Sequence, residues 1–570
     1  MTFATLRALH AAIGTGIDDI ERVYREHTEA NPVEFPSLNE PYYRTAQHTP
    51  DEELAEALKD DPAVVAASMR IVAACAQLST TVSKPWLGLM EDMLWAGFSH
   101  ALRFVEAANI VEILREAGPV GLHVRDIHRL VLELRTNVKG AAPADGARLT
   151  PAHLSHILRL LATGHYLREV APDVFANNRA SSYIDTGKTV AQLREAPEKK
   201  YNDTDGVAAY VGVIGGVVAK SISYLTEWAL GSESQSAAAP ATAQDSAVPV
   251  ALRHPAAPFN LAFDTQLAFF PWLELPGNEG RLVRFGQGMT GTRQFETKDE
   301  ILRAFPWDTL PQGAVLMDVG GGIGAQTIVI ADSQPHIRVV VEDTEQVVST
   351  AISSWGPQYT HLFESGRMSW RVRDFFEAWV PLAQDQDLEG PAQRTPGPGQ
   401  VAGSDAPDVF LLRSILHDWK DEECKRQVLV PHLLRLATLS SSLTSRIRPT
   451  RSTPRRILSQ LRAAAGPHTK LVAGEMLLHH ACADDAAYAA ASGSGGETFP
   501  FVPKDSPLLP NLGVANILGY FKDMVMLSMF DAKERTEDEF AALLRVAGWE
   551  LVEIRRTPGS VWGYMTAVPV

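Results

Sequence analysis

The sequence predicts an α/β protein in two parts: a mainly helical N-terminal region that includes a winged helix, then a domain built on a parallel sheet. Three observations carry that expectation. Apolar residues recur with helical spacing before residue 231, short β-type runs alternate with helical segments after Pro258, and a glycine-rich turn follows the first of those runs. With 570 residues, 45 % of them hydrophobic, the chain has apolar material for two or three domains.

In the N-terminal part, Thr150-Pro151 opens a helix, because the threonine side chain can serve the orphan amides and proline fits the first helical position. Leu154, Ile157, Leu158 and Leu161 then line one apolar face, and Gly164 stops the helix. Tyr166 to Val170 and Val174 to Ala176, flanking Ala171-Pro172-Asp173, read as a hairpin, and helix, helix and hairpin together suggest a winged helix. That helix offers only Arg159 and a few histidines to a DNA groove, and the chain carries a net charge of -16, so nucleic acid is not expected as a partner and packing or dimerisation is favoured. Trp86 to Phe104 is dense in large apolar residues, which points to a homodimer.

Gly231 to Pro258, Asp385 to Pro407, Thr438 to Pro467 and Ala483 to Pro510 are rich in Ala, Gly, Ser and Pro and read as linkers or insertions. The expected organisation is therefore a helical and winged-helix domain over 1–200, a connecting helix and linker over 201–258, and a catalytic domain over 259–570 with insertions near 385–407, 438–467 and 483–510. No secretory signal is visible, and no run of about 18 apolar residues suggests a membrane span. Cys75, Cys424 and Cys482 are few, odd in number and far apart, so a cytoplasmic, reducing compartment is expected.

Beyond Pro258 the β-runs are Ala314 to Val319, Arg338 to Val341, Val409 to Leu416 and Leu471 to Met476. Strands alternating with helices imply a Rossmann-like sheet whose ligands sit at the strands' carboxyl ends. After the first run comes Gly320-Gly321-Gly322-Ile323-Gly324-Ala325, a turn that brings backbone amides to a ligand and leads into a helix. Asp343 follows the second run and could hold a ribose of either NAD or S-adenosylmethionine (SAM); the loop alone does not choose. Asp318 before the glycines and Asp374-Phe375 in the next unit make the surroundings acidic, which disfavours a pyrophosphate and favours the sulfonium and ammonium of SAM.

The string Asp318-Val319-Gly320-Gly321-Gly322-Ile323-Gly324, followed by Asp343, Asp374-Phe375, Leu416-His417-Asp418-Trp419 and Lys533-Glu534-Arg535-Thr536, resembles the class I SAM-dependent O-methyltransferases typified by plant caffeate enzymes, including fungal natural-product members. The resemblance implies a Rossmann-like SAM-dependent methyltransferase domain behind a helical winged-helix dimerisation domain. It also implies that Gly320, Asp343, Asp374, Phe375 and Arg413, which stands where plant enzymes have lysine, contact SAM, joined by Asp318 and Gly322 of the same loop.

His417 falls at the end of a strand, where a base would need to be, and histidine can take the proton of a hydroxyl whose pKa lies near 10. Its second ring nitrogen needs an orienting acceptor. Glu475 and Glu534 stand at element ends, and the resemblance implies that both flank the base; Thr536 forms a capping box with Glu539 just beyond. Phe285, Met289, Met526 and Phe530, with Met529, form a candidate wall for an apolar hydroxylated acceptor, and Phe285 to Met289 resembles the family's substrate-contacting segment. His479-His480 lacks a third ligand, so no metal is expected. A non-catalytic SAM-binding relative, an NAD-dependent oxidoreductase, and a nitrogen or carbon acceptor are the competing readings.

Overall fold

The computed structural model describes residues 2–27, 33–135, 148–231, 257–296, 299–355, 359–375, 388–389, 406–424, 457–482, 501–557 and 560–570. The chain divides into two compact units: Met1–Thr297 with His480–Asp531, and Lys298–His479 with Ala532–Val570. The boundary expected near residue 258 is thus displaced. Helices Pro258–Phe263, Phe269–Leu273 and Glu279–Gly291 belong to the first unit because Phe259, Phe269, Trp272 and Leu273 share a core with Val213, Val218 and Met529.

In the first unit, helix Ile110–Ala117 is followed by strand β1 (Leu122–His123), helices Val124–Arg135 and Pro151–Thr163, and strands β2 (Arg168–Ala171) and β3 (Val174–Ala176), the order of elements a winged helix requires. The three strands form one sheet in the order β1-β3-β2. Helix Pro151–Thr163 begins and ends where its sequence signals stand: the Thr150 hydroxyl accepts from His153 N, and Gly164 is the C-cap. Leu154, Leu158 and Leu161 are fully buried, packing with Ile110, Ile127 and Phe175. Arg159 is engaged by Glu169 and Asp173 of the hairpin at 2.8 and 2.9 Å.

Long helices Phe3–Glu26 and Pro62–Val82 pair, and Leu9, Ala73 and Ala74 pack with Val502, Leu508 and Leu512. The expected insertion over 483–510 therefore ends in a core-forming segment, since 501–510 supplies apolar anchors spaced among its prolines. By length and mean hydropathy alone, Pro62–Val82 and Val207–Leu230 are long and apolar enough to cross a membrane, with 22 % and 39 % of their apolar windows buried.

The second unit holds, among the described residues, a nine-stranded sheet. Its strands are β4 (Ala314–Val319), β5 (Ile337–Asp343), β6 (Met368–Val372), β7 (Leu388–Glu389), β8 (Val409–Arg413), β9 (Lys470–Leu478), β10 (Arg535–Thr536), β11 (Trp549–Arg556) and β12 (Trp562–Pro569). The order is β11-β12-β9-β8-β4-β5-β6-β7, with β10 alongside β9. β9, β8, β4, β5 and β6 run parallel, as the alternation of strands and helices requires, whereas β12 and β7 run antiparallel to them and make the sheet mixed. β4 is buried at every residue, as a central strand covered on both faces must be.

Two local expectations are corrected. The run Val409 to Leu416 is not one strand: β8 stops at Arg413, Ser414 takes a left-handed φ of 56°, and Leu416–Asp418 forms a 3-10 turn. The expected insertion 438–467 contains helix Ile457–Ala464, whose Ile457, Leu458 and Leu461 are buried against Phe540, Leu543 and Trp549. The expected insertion 385–407 contains strand β7, and its residues 385–387 and 390–405 lie outside the described residues, as do 438–456 with the arginine-rich run Arg446 to Arg456, 483–500 and the linker over 232–256.

Candidate active site

Strand order reverses between β4 and β8, the topological switch point at which open α/β sheets bind ligands. The turn after β4 carries the glycines and the turn after β8 carries His417. The two turns touch: a Cβ on Gly320, whose φ is 69°, would lie 2.7 Å from Ile415 Cδ1 and 3.4 Å from Phe375. At Gly321 a Cβ would meet the Asp318 carboxylate at 2.2 Å, so this turn admits no side chain at either position.

Asp318 is buried and accepts from the Thr327 hydroxyl at 2.9 Å. Burial pushes its carboxyl up to about 7, opposed by the Thr327 hydrogen bond and the Arg413 charge. Asp343 ends β5 and clasps the loop. Its Oδ2 accepts from Gly322 N at 2.9 Å and its Oδ1 from Thr344 N at 2.7 Å, while burial raises its pKa. Two desolvated carboxylates at one glycine turn suit a cation far better than a pyrophosphate, so the residues present fit SAM.

Arg413 lies with its guanidinium 4.3 Å from the centroid of the Trp562 ring and interacts electrostatically with Asp318. Phe375 is half-buried edge-on to Trp419 at 6.1 Å, and Asp374 is exposed beside it. Gly322 offers its amide to Asp343 and has open space where a Cβ would stand.

His417 sits in the 3-10 turn, 4 % exposed. Either glutamate was expected to orient it; both carboxylates lie near the same ring nitrogen. Nδ1 lies 3.2 Å from Glu475 Oε2 and 3.1 Å from Glu534 Oε1, while Nε2 lies 3.5 Å from Asp418 Oδ1. Glu475 is itself held, because its Oε1 accepts from Ile415 N at 3.1 Å and Leu416 N at 2.7 Å. That carboxylate replaces the ladder partner that β8 loses after Ser414, which is why the strand ends early and the histidine turns inward. No metal is expected from the sequence, yet His417, Glu475 and Glu534 present ligand atoms within 4.8 Å of one another, a spacing that a metal as well as an imidazole N–H could use.

Sequence reasoning missed the residue that holds this turn. Arg535 is fully buried and donates to Leu416 O at 2.7 Å, to Trp419 O at 2.9 Å and to Asp421 Oδ1 at 3.0 Å, gripping the His417 turn on both sides. Its position next to Glu534 was the only available signal. Thr327, Ile415 and Trp562 were likewise silent, since each acts through contacts distant in sequence.

The acceptor-wall residues lie in the first unit. Phe285 and Phe530 share an aromatic cluster with Phe269 and Phe270, with centroid separations of 5.2 to 5.9 Å. Met526 and Met529 are buried, and Met289 is 37 % exposed.

A family profile described as an O-methyltransferase domain matches residues 249–388. An O-methyltransferase of Armillaria gallica is 33 % identical over 571 residues, covering 100 % of both chains. The 4-O-methyltransferase 1 of Phanerochaete chrysosporium is 32 % identical over 553 residues, covering 97 % of this chain and 96 % of the relative. Among solved structures, the mitomycin 7-O-methyltransferase MmcR is similar with a TM-score of 0.51 at 18 % identity, covering 85 % of this chain and 98 % of its own. LepI in complex with SAM gives a TM-score of 0.55 at 14 % identity, covering 91 % of this chain and 100 % of its own. These two likenesses carry the fold alone. Identity over the whole length to the fungal relatives carries more: the chain belongs to the SAM-dependent O-methyltransferase family.

Proposed function

We propose that this enzyme transfers the methyl group of SAM to a phenolic or enolic hydroxyl of an apolar small molecule, a secondary metabolite, with His417 as general base. The observation that carries this reading is the imidazole placed at the switch point with both buried glutamates on Nδ1. Carboxylates at Nδ1 hold its proton there, so the basic lone pair is that of Nε2, and they stabilise the imidazolium formed when Nε2 takes the acceptor's proton.

SAM supplies an electrophilic methyl group. Asp343 would hold its ribose hydroxyls, Asp374 and Phe375 its adenine, and Asp318, Gly320, Gly322 and Arg413 the remainder of the binding turn. Phe285, Met289, Met526 and Phe530 would line the acceptor pocket. The test is a screen of metabolite extracts with isotope-labelled SAM, read by mass spectrometry. Label on an oxygen of an apolar product is expected, and the absence of any labelled small molecule overturns the reading.

A homodimer and a reducing compartment belong to the same proposal. Helix Pro85–Leu94 has no buried residue, and Trp86, Leu87, Leu89, Met93 and Leu94 are each at least half exposed, a patch that a second copy would cover. Light scattering at micromolar concentration should give twice the 62.1 kDa of the chain, and a monomer there ends this part. Cys75, Cys424 and Cys482 form no disulfide among the described residues.

A further inference from the structure

The first unit contains a pocket whose chemistry is the reverse of the glycine-loop site. It has a volume of about 390 Å³, within the range of small-molecule sites, and its lining includes Arg103, Lys220, Arg281 and Arg284 and no carboxylate. Phe269, Trp272 and Leu273, all buried, supply apolar surface. None of the four cations forms an ion pair among the described residues, and Arg284 Nε is buried without a hydrogen-bond partner. Glu106 Oε2 faces the same Gly212 position as Arg284 without forming an ion pair with it, while Glu106 Oε1 is held by Lys200 at 2.7 Å and by the Tyr201 hydroxyl at 2.7 Å. In a chain with a net charge of -16, four neighbouring cations without ion pairs among the described residues are an arrangement that favours an anion.

The backbone is shaped around these side chains. Helix Val207–Val213 runs into a π-helical turn, Ile214–Val218, a form often found at functional sites. A Cβ on Gly212 would lie 2.9 Å from Arg284 Cδ, and one on Gly216 would lie 3.4 Å from Arg103 Nε, so the arginines lie over positions that carry no side chain. Lys220 Nζ stands 4.2 Å from the Phe263 ring centroid and the Arg281 guanidinium 5.5 Å from that of Trp272, while Arg281 also donates to Asn278. Cations laid on aromatic faces leave their outer N–H groups for a ligand anion and the remaining ring surface for its apolar body.

We propose that this pocket binds an organic anion with a flat aromatic body, of the aromatic carboxylate class, with Arg284 and Lys220 as the main anion contacts. It shares only Phe285 with the acceptor wall and does not depend on methyl transfer. The anion can be the acceptor itself, carrying a carboxylate beside its hydroxyl, or a separate ligand.

The test uses the full chain and two probes, 6-hydroxy-2-naphthoate and its neutral amide, measured by calorimetry without SAM. The carboxylate should bind at least about tenfold more tightly than the amide, as one or more charge-assisted hydrogen bonds require, and the difference should shrink with added salt. Arg284→Met and Lys220→Met, checked for unchanged thermal melting, should each reduce that preference while amide binding stays as in wild type; Arg284→Lys should retain part of it. Equal affinity for the two probes, or a preference that both methionine variants leave intact, overturns the proposal. Adding labelled SAM distinguishes the sources: a methylated naphthoate makes the anion the acceptor, and binding without methylation makes it a separate ligand. Since the affinity measurement requires no turnover, failure of the methyl-transfer reading leaves it unaffected.

Discussion

The glycine-loop site and the helical-unit pocket solve opposite electrostatic problems with opposite means. Around the loop, beside Arg413, stand carboxylates removed from water and held by hydrogen bonds: Asp318 by Thr327, Asp343 by two amides, and Glu475 by two amides on the His417 turn. In the pocket of Arg103, Lys220, Arg281 and Arg284 the charges are cations, of which Lys220 and Arg281 lie on aromatic faces. The first kind of site is preorganised, so a ligand cation meets fixed dipoles with little rearrangement. The second is built from long side chains that a ligand must order. Substitutions should therefore have their largest effects where the groups are already fixed.

The largest effect is expected at His417. His417→Ala should lower turnover by about 10² or more while leaving SAM affinity near wild type, because the proposed cofactor contacts lie on other turns. With a phenolic acceptor, raising the pH toward its pKa should partly restore the variant. Near-wild-type turnover at neutral pH would remove the base assignment and point to an already nucleophilic nitrogen acceptor. Asp343→Ala comes next. Loss of a charge-assisted hydrogen bond of about 1.5 to 3 kcal/mol should weaken SAM binding by roughly 10- to 100-fold, and equal affinity in calorimetry would contradict the ribose role.

Asp318 gives a pH signature of about tenfold. Its carboxyl, pushed up to about 7 by burial, is largely protonated at pH 6 and ionised at pH 8. A bound cation favours the ionised form, so SAM should bind more tightly as pH rises through 7 and release a proton on binding near that pH. The sign for the free protein is opposite. A folded-state pKa above the unfolded value means stability that falls as pH rises from about 4 to 7. Asp318→Asn should flatten both curves; an unchanged pH profile of SAM affinity in that variant would exclude Asp318 as the titrating group.

The smallest effect separates holding the base from being the base. Arg535→Lys keeps the charge but cannot reproduce three directed hydrogen bonds. Turnover should fall by about tenfold or less, with KM for SAM unchanged, since a small displacement of the base costs rate rather than cofactor binding. A drop as large as that of His417→Ala would give Arg535 a direct part in the chemistry, and a rise in KM alone would move its role to the cofactor.

The contrast between the two sites also shows where local sequence suffices. Glycines, a capping threonine and a proline at the first helical position act on backbone within a few residues of themselves. Helix Pro151–Thr163 and the turn after β4 were accordingly readable residue by residue. The capping box of Thr536 and Glu539 behaved in the same way. Ordered motifs also brought His417, Glu475 and Glu534 into view before any geometry was known.

What sequence could not supply was decided by contacts between distant segments. β8 ends at Arg413 rather than Leu416 because the Glu475 side chain, from the neighbouring strand, takes over the amides of Ile415 and Leu416. That both glutamates meet one nitrogen, that Arg535 grips the His417 turn, and that residues 501–510 pack on Leu9 and Ala73 are results of the same kind. The pocket of cations gathers Arg103 on one helix, Lys220 on a second and Arg281 and Arg284 on a third. The sequence by itself determined helix Pro151–Thr163, the glycine turn and the parallel core of the sheet, which follow from local backbone preference and apolar period, and its ordered motifs identified the candidate chemical groups. Tertiary structure alone decided where strands stop, which segments are core and which charges share a site, because burial and long-range hydrogen bonds override local preference wherever a buried amide or carboxylate must find a partner.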